Sequence, residues 1–182
     1  MIIALAGRRI DRSDARPPRF PLANRDLVRK RVARLFKESG AAALVGSGAC
    51  GADLLAMDVA GELGLRRRMI LPFRSEQFRE ASVTDRPGEW GPLFDRIAAE
   101  VDADGGLITL DFHGHDHEAY AMVNRKILEE ALELAEAASS QSQVLAVVVW
   151  DGAPRHHWDL SLAFAEEARA RNLPVAEILT TG

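Results

Sequence analysis

Ala42-Ala43-Leu44-Val45-Gly46-Ser47-Gly48-Ala49-Cys50-Gly51-Ala52-Asp53-Leu54-Leu55 runs a short apolar segment into a glycine-rich turn and out into a helix. Leu55, Val59 and Leu63 continue one face of that helix, and Gly64 ends it. The same alternation extends on both sides. Upstream, Ile2 to Ala6 reads as a buried strand closed by Gly7. Val28, Val32, Leu35 and Phe36 then recur with helical spacing up to Ser39-Gly40. Downstream, Met69 to Phe73 reads as a strand, and 74–92 as a long polar stretch with a turn at Pro87-Gly88. Leu93, Ile97 and Val101 suggest a short helix, and Leu107 to Phe112 a strand. Val123, Ile127, Ala131, Leu134 and Ala135 define a strong helix whose apolar face is either core or a contact between copies in a homo-oligomer. Val144 to Trp150, the most apolar run, reads as a central parallel strand. Leu160, Ala163, Phe164 and Ala168 give a final helix, and Pro174 to Leu179 a last strand. The expected fold is α/β: a three-layer, Rossmann-like, open and mostly parallel sheet with helices on both faces, formed by residues 1–182 as a single domain. In such sheets ligands sit beyond the carboxyl ends of the strands, so residues just after each strand are the candidates.

Composition narrows the function classes. The 182 residues are 47% hydrophobic and 27% charged, as in a soluble globular domain. A net charge of −4 disfavours nucleic acid as the main partner. No apolar run is long enough for a membrane helix. Met1 to Ala6 is followed at once by Gly7, Arg8 and Arg9, unlike a signal peptide. The single Cys50 excludes an internal disulfide and a multi-cysteine zinc site. The expected compartment is a reducing cytoplasm.

Turn 46–53 is the leading candidate site. Gly46, Gly48 and Gly51 fit G-x-G-x-x-G between a strand and a helix. Glycines let backbone approach a ligand, and the helix start offers N–H groups and partial positive charge for a phosphate. The expected ligand-binding residues here are Gly46, Ser47, Gly48, Ala49, Gly51, Ala52 and Asp53. Asp53 has a second reading as a helix cap. The next strand ends Leu71-Pro72-Phe73-Arg74 without the acid that a dinucleotide ribose normally takes, so an ordinary NAD dehydrogenase is not expected. Arg8, Arg9, Arg12, Arg16 and Arg19 crowd the loop after the first strand, and Arg74, Arg79 and Arg86 follow the third. Gly7, Arg8 and Arg9 are singled out because they follow their strand most closely, and a guanidinium suits phosphate oxygens. Asp151 and Gly152 close the core strand, where Asp151 could orient a sugar or simply make a turn.

Gly7-Arg8-Arg9-Ile10-Asp11, the run 48–56, Leu71-Pro72-Phe73 with Phe78 and Ser82-Val83, and Trp150-Asp151-Gly152 together resemble the SLOG superfamily. These Rossmann-like domains are related to the LOG phosphoribohydrolases and the DprA/SMF proteins. The resemblance implies a pocket for a nucleotide or nucleotide derivative, often used for sensing. Some relatives cleave the N-glycosidic bond of nucleoside monophosphates. Two departures stand out. Arg8 occupies the place of a frequent histidine, and the Pro-Gly-Gly-x-Gly-Thr turn of the hydrolytic branch is missing after Trp150.

The expected function is therefore binding or sensing of a nucleotide-derived ligand without turnover and with no required cofactor. One alternative is a nucleotide N-glycosidase using the same pocket. A further alternative is a metal-dependent hydrolase using His113, His115 and His117, with Asp111 or Asp116 as an oxygen ligand. Cys50 reads as a small buried residue, Trp90 as a loop anchor or a cover for a base, and Tyr120 and Asn124 as one helix face that packs or reaches the pocket.

Overall fold

In the computed structural model, described for residues 1–112, 117–138 and 143–182, the chain forms six parallel strands and six α-helices, one helix between successive strands except for two between the third and fourth. The strands are β1 (Ile2–Gly7), β2 (Ala43–Gly46), β3 (Arg66–Leu71), β4 (Leu107–Thr109), β5 (Val144–Trp150) and β6 (Val175–Leu179). Their order across the sheet is β4-β3-β2-β1-β5-β6. The chain lays down β1 to β4 in one direction and then returns to place β5 on the other side of β1. The order therefore reverses between β1 and β5, where Leu5 pairs with Val147 and Gly7 with Val149.

The two-residue period of β1 explains the layers. Ile3 and Leu5 point into one core, with residues of α1 (Arg25–Glu38), α2 (Ala52–Glu62), α3 (Ser75–Ser82) and α4 (Trp90–Ala103). Ile2, Ala4 and Ala6 point into the other, with residues of α5 (His117–Ala138) and α6 (Leu160–Ala170). Helical spacing does the same work on the outer layers. Val28, Val32 and Phe36 form the buried stripe of α1, and Val123, Ile127, Ala131, Leu134 and Ala135 lie on the buried side of α5.

Several elements depart from the sequence expectation, among them α4, which begins at Trp90 and runs for 14 residues. β3 begins at Arg66 rather than Met69, because Arg67 and Arg68 pair with Glu100 and Glu130 instead of needing an apolar environment. The polar stretch 74–92 contains α3, which buries only Phe78 and Ser82 and so shows no apolar stripe. β4 ends at Thr109 instead of running to Phe112.

Gly7 marks the tightest packing at the reversal point. A Cβ built there would lie 2.5 Å from the Ala52 Cβ and 2.8 Å from the Val149 carbonyl oxygen. Neither contact can relax without moving backbone. Gly7→Ala is expected to cost about 2 kcal/mol or more. Thermal denaturation should then show a Tm lower by about 5 °C or more.

Candidate functional site

The exits of β1 and β2 lie against each other through their backbones. Ile10 N–H donates to Cys50 O at 3.3 Å and Ala52 N–H donates to Arg8 O at 3.1 Å, joining the two loops by an antiparallel bridge between Arg9 and Gly51. Gly51 takes φ +105°, and a Cβ there would lie 2.7 Å from Ile10 N. Its glycine is required by chain against chain. Gly48 likewise lets Met69 and Phe94 close over the turn. Three of the turn's N–H groups are committed within the protein: Ala49 to the Asp53 carboxylate, Cys50 to Ser82 O and Ala52 to Arg8 O. The Ser47 hydroxyl donates to Ile70 O.

A cleft of about 430 Å³ opens beside this junction, within the size range of small-ligand sites. Its floor is formed by Ala6, Gly7, Ser47, Ala49 and Asp53. α5 contributes a wall of Tyr120, Val123, Asn124 and Ile127. Arg8, Arg9, Arg19, Arg86 and Arg155 also line it, against Asp11 and Asp53 as the only carboxylates among the described lining residues. Arginines thus outnumber carboxylates along the lining, although each also pairs with an aspartate just outside it. Gly46, Gly48, Gly51, Ala52, Asp151 and Gly152 lie around it without lining it.

The arginines are not equivalent. Arg8 is buried, and all three of its guanidinium nitrogens are occupied. Nε donates to Asp151 at 2.5 Å, one terminal nitrogen to Asp159 at 2.9 Å and the other to Ala153 O at 2.6 Å. Asp151 also accepts from Arg19 at 2.7 Å. Arg8 and Asp151 therefore cross-link the β1 and β5 exits. Asp159 caps α6 through Ser161 N–H. Burial alone would raise the Asp159 carboxyl, but hydrogen bonds from Arg8 and the Arg155 N–H outweigh it and hold the group far below the usual range. Arg9 donates to Ala81 O and Asp85 and remains partly exposed. Arg86 pairs with Asp85 through Nε alone, and Arg155 is half exposed.

Asp53 is the opposite case. It is 7% exposed. Its Oδ2 accepts a long hydrogen bond from Ala49 N–H at 3.4 Å, and among the described residues no group lies within hydrogen-bond geometry of Oδ1. No side-chain cap forms at the start of α2. Burial pushes its carboxyl up to about 7, against weaker pulls from the Ala49 N–H, the Arg9 charge and the Gly7 N–H.

Other candidates resolve plainly. Burial pushes the Cys50 thiol up to about 12, so the thiolate a nucleophile needs is disfavoured. Trp90 is buried, donates to Pro87 O at 2.8 Å and lies under Arg25, so it anchors its loop rather than covering a base. Tyr120 and Asn124 both reach the cleft, bonded to Ser82 and Leu160 O. His117 Nε2 lies 2.8 Å from Trp158 O, whereas His113, His115 and Asp116 lie outside the described residues. Among the described residues no group of three or more His, Cys, Asp or Glu side chains could hold a metal. Asp159 and Arg155 went unnoticed in the sequence. Asp159 before an apolar helical run is a cap signature that could have been read, but its pairing with Arg8 could not. The sequence matches no protein-family model and no curated protein.

Two variants separate the roles of Arg8 and Asp53. Arg8→Met leaves Asp159 buried without its main cation and should cost about 3 kcal/mol or more, lowering Tm by about 6–12 °C. Because Asp159 is depressed in the fold, that loss is full above the unfolded carboxyl range and shrinks as pH falls through the folded value. Asp53 has the reverse sign. Its raised folded value makes stability fall as pH rises from about 4 to about 7. Asp53→Asn should therefore have a higher Tm than wild type at pH 8, by several degrees, with the gap narrowing at pH 5. Calorimetric melts at the two pH values check both.

Proposed function

We propose that the chain binds a nucleotide or nucleotide-derived ligand in the cleft at the β1–β5 reversal and senses it without turnover. The observation that carries this reading is the cleft itself, where arginines line the opening around a buried carboxyl that has an unpartnered oxygen. Arg9, Arg86 and Arg155 supply guanidinium donors for phosphate, and Phe78, Val123, Ile127 and Leu160 supply apolar surface for a base. The resemblance to the SLOG superfamily supports the same ligand class, and a buried Cys50 suits a reducing cytoplasm. Arg8 and Asp151 serve the site by fixing its walls. A phosphate would be held mainly by arginine side chains, since the Ala49, Cys50 and Ala52 N–H groups of the turn already have protein acceptors.

The Asp53 carboxyl, poised near neutrality, also favours a second reading, N-glycosidic cleavage at the same cleft. Melting curves with AMP, ADP-ribose and cyclic AMP test binding, because a ligand that prefers the native state raises Tm. Chromatography of the incubated AMP separates the readings: intact AMP supports sensing, and free adenine supports cleavage. Arg86→Ala combined with Arg155→Ala should weaken binding about tenfold or more, and more strongly at low salt. No Tm shift with any of the three ligands overturns the proposal. Gly51→Asp is unsuitable as a site probe, since its side chain would meet Arg8 and Ile10 backbone and disturb the fold first.

A further inference from the structure

Asp53 is costly where it stands. It lies at the second position of α2, yet it makes no cap, and five arginines line the same cleft without one bonding to it. Arg9 bears on it by charge but directs its guanidinium to Ala81 O and Asp85. A buried oxygen without a partner forfeits its water without replacing it. Neither helix capping nor ion pairing accounts for such a group, and a ligand in the adjoining space does.

The geometry points to Asp53 as the polar anchor of the cleft: its ionised carboxylate accepts a hydrogen bond from an O–H or N–H donor on the nucleoside part of the ligand, and a proton on that carboxyl competes with the ligand. This rests on the nucleotide reading above and adds which group recognises the nucleoside and how binding depends on pH. Phosphate takes the arginines, which offer donors only. A sugar hydroxyl or an exocyclic amino group is the complementary donor for a carboxylate. With the Asp53 carboxyl half-protonated near pH 7, affinity for such a ligand rises about tenfold between pH 6 and pH 8. Arg9 is the charged side chain acting on Asp53. Asp11 and Arg19 before α1, Arg86 after α3, Tyr120 on α5 and Arg155 before α6 line the same cleft. Asp53→Asn keeps all of these, so any slope that persists in it belongs to them.

Calorimetric titration of wild type and Asp53→Asn with ADP-ribose and cyclic AMP at pH 6, 7 and 8 tests the proposal. Cyclic AMP is a phosphodiester and ADP-ribose a diphosphate esterified at both ends, so neither has the terminal phosphate that itself titrates near pH 6. AMP is included, and there the variant's slope is subtracted. The expected result is a Kd that falls about tenfold with pH in wild type, and a flat, roughly tenfold weaker Kd at pH 8 in the variant. AMP, 2′,3′-dideoxy-AMP and IMP at pH 8 then locate the donor: the analogue lacking it binds wild type and variant alike. The variant's own melt confirms that it is folded. Equal affinity and equal slope in the two proteins overturn the role of Asp53 while leaving the nucleotide reading intact. Binding of none of these compounds by wild type overturns both.

Discussion

The exit of β1 runs so close to the turn after β2 that two backbones hydrogen-bond where side chains would otherwise stand. Arg8 O and Ile10 N–H meet Ala52 N–H and Cys50 O, with Gly51 at φ +105° between them. Gly7 extends the same contact down to Ala52 and Val149. From that junction the Arg8 side chain runs toward the β5 exit. There it meets Asp151, Asp159 and the Ala153 carbonyl. One backbone contact thus fixes the start of α2, the direction of Arg8 and, through Asp159, the start of α6. The cleft is the space left beside that junction.

This alters how the glycine motif works. A strand–turn–helix rich in glycine suggests backbone N–H groups waiting for an anion. Here several of those N–H groups already have protein acceptors, and the glycines let loops approach one another. The cationic groups at the cleft are side chains. Arg9, Arg19, Arg86 and Arg155 arrive from three separate loops, each only partly neutralised. Such a site is more sensitive to salt and to single substitutions than a backbone cradle would be.

The positions of most strands, and with them the α/β class, were legible in the sequence because strands buried on both faces are continuous apolar runs. Val144 to Trp150 and Ile2 to Ala6 could hardly be read otherwise. Legibility ended where pairing replaced burial. Arg66 to Arg68 look like a loop until Glu100 and Glu130 are seen beside them, and α3 hides in polar residues around Phe78. At the site, nearness to strand ends singled out Gly7, Arg8, Arg9, Ser47, Ala49 and Asp53, which line one cleft. It did not distinguish a guanidinium turned inward from one left at the surface. That depends on partners far away in sequence, as Arg8 and Asp159 show.

Arg8 and Asp53 mark two ways in which a protein can handle a buried charge. Arg8 is surrounded by acceptors, so its burial strengthens each contact and stiffens the junction. Asp53 has one long hydrogen bond and an empty oxygen, so its burial works against the fold as the solution becomes neutral. Folding alone would favour a neutral isostere at position 53. A carboxyl retained there, beside an open cleft and within the field of Arg9, stores an unmet interaction that a ligand can complete. On the reading proposed above, binding would recover part of that cost, beside strand exits that Arg8 holds together through all three of its guanidinium nitrogens.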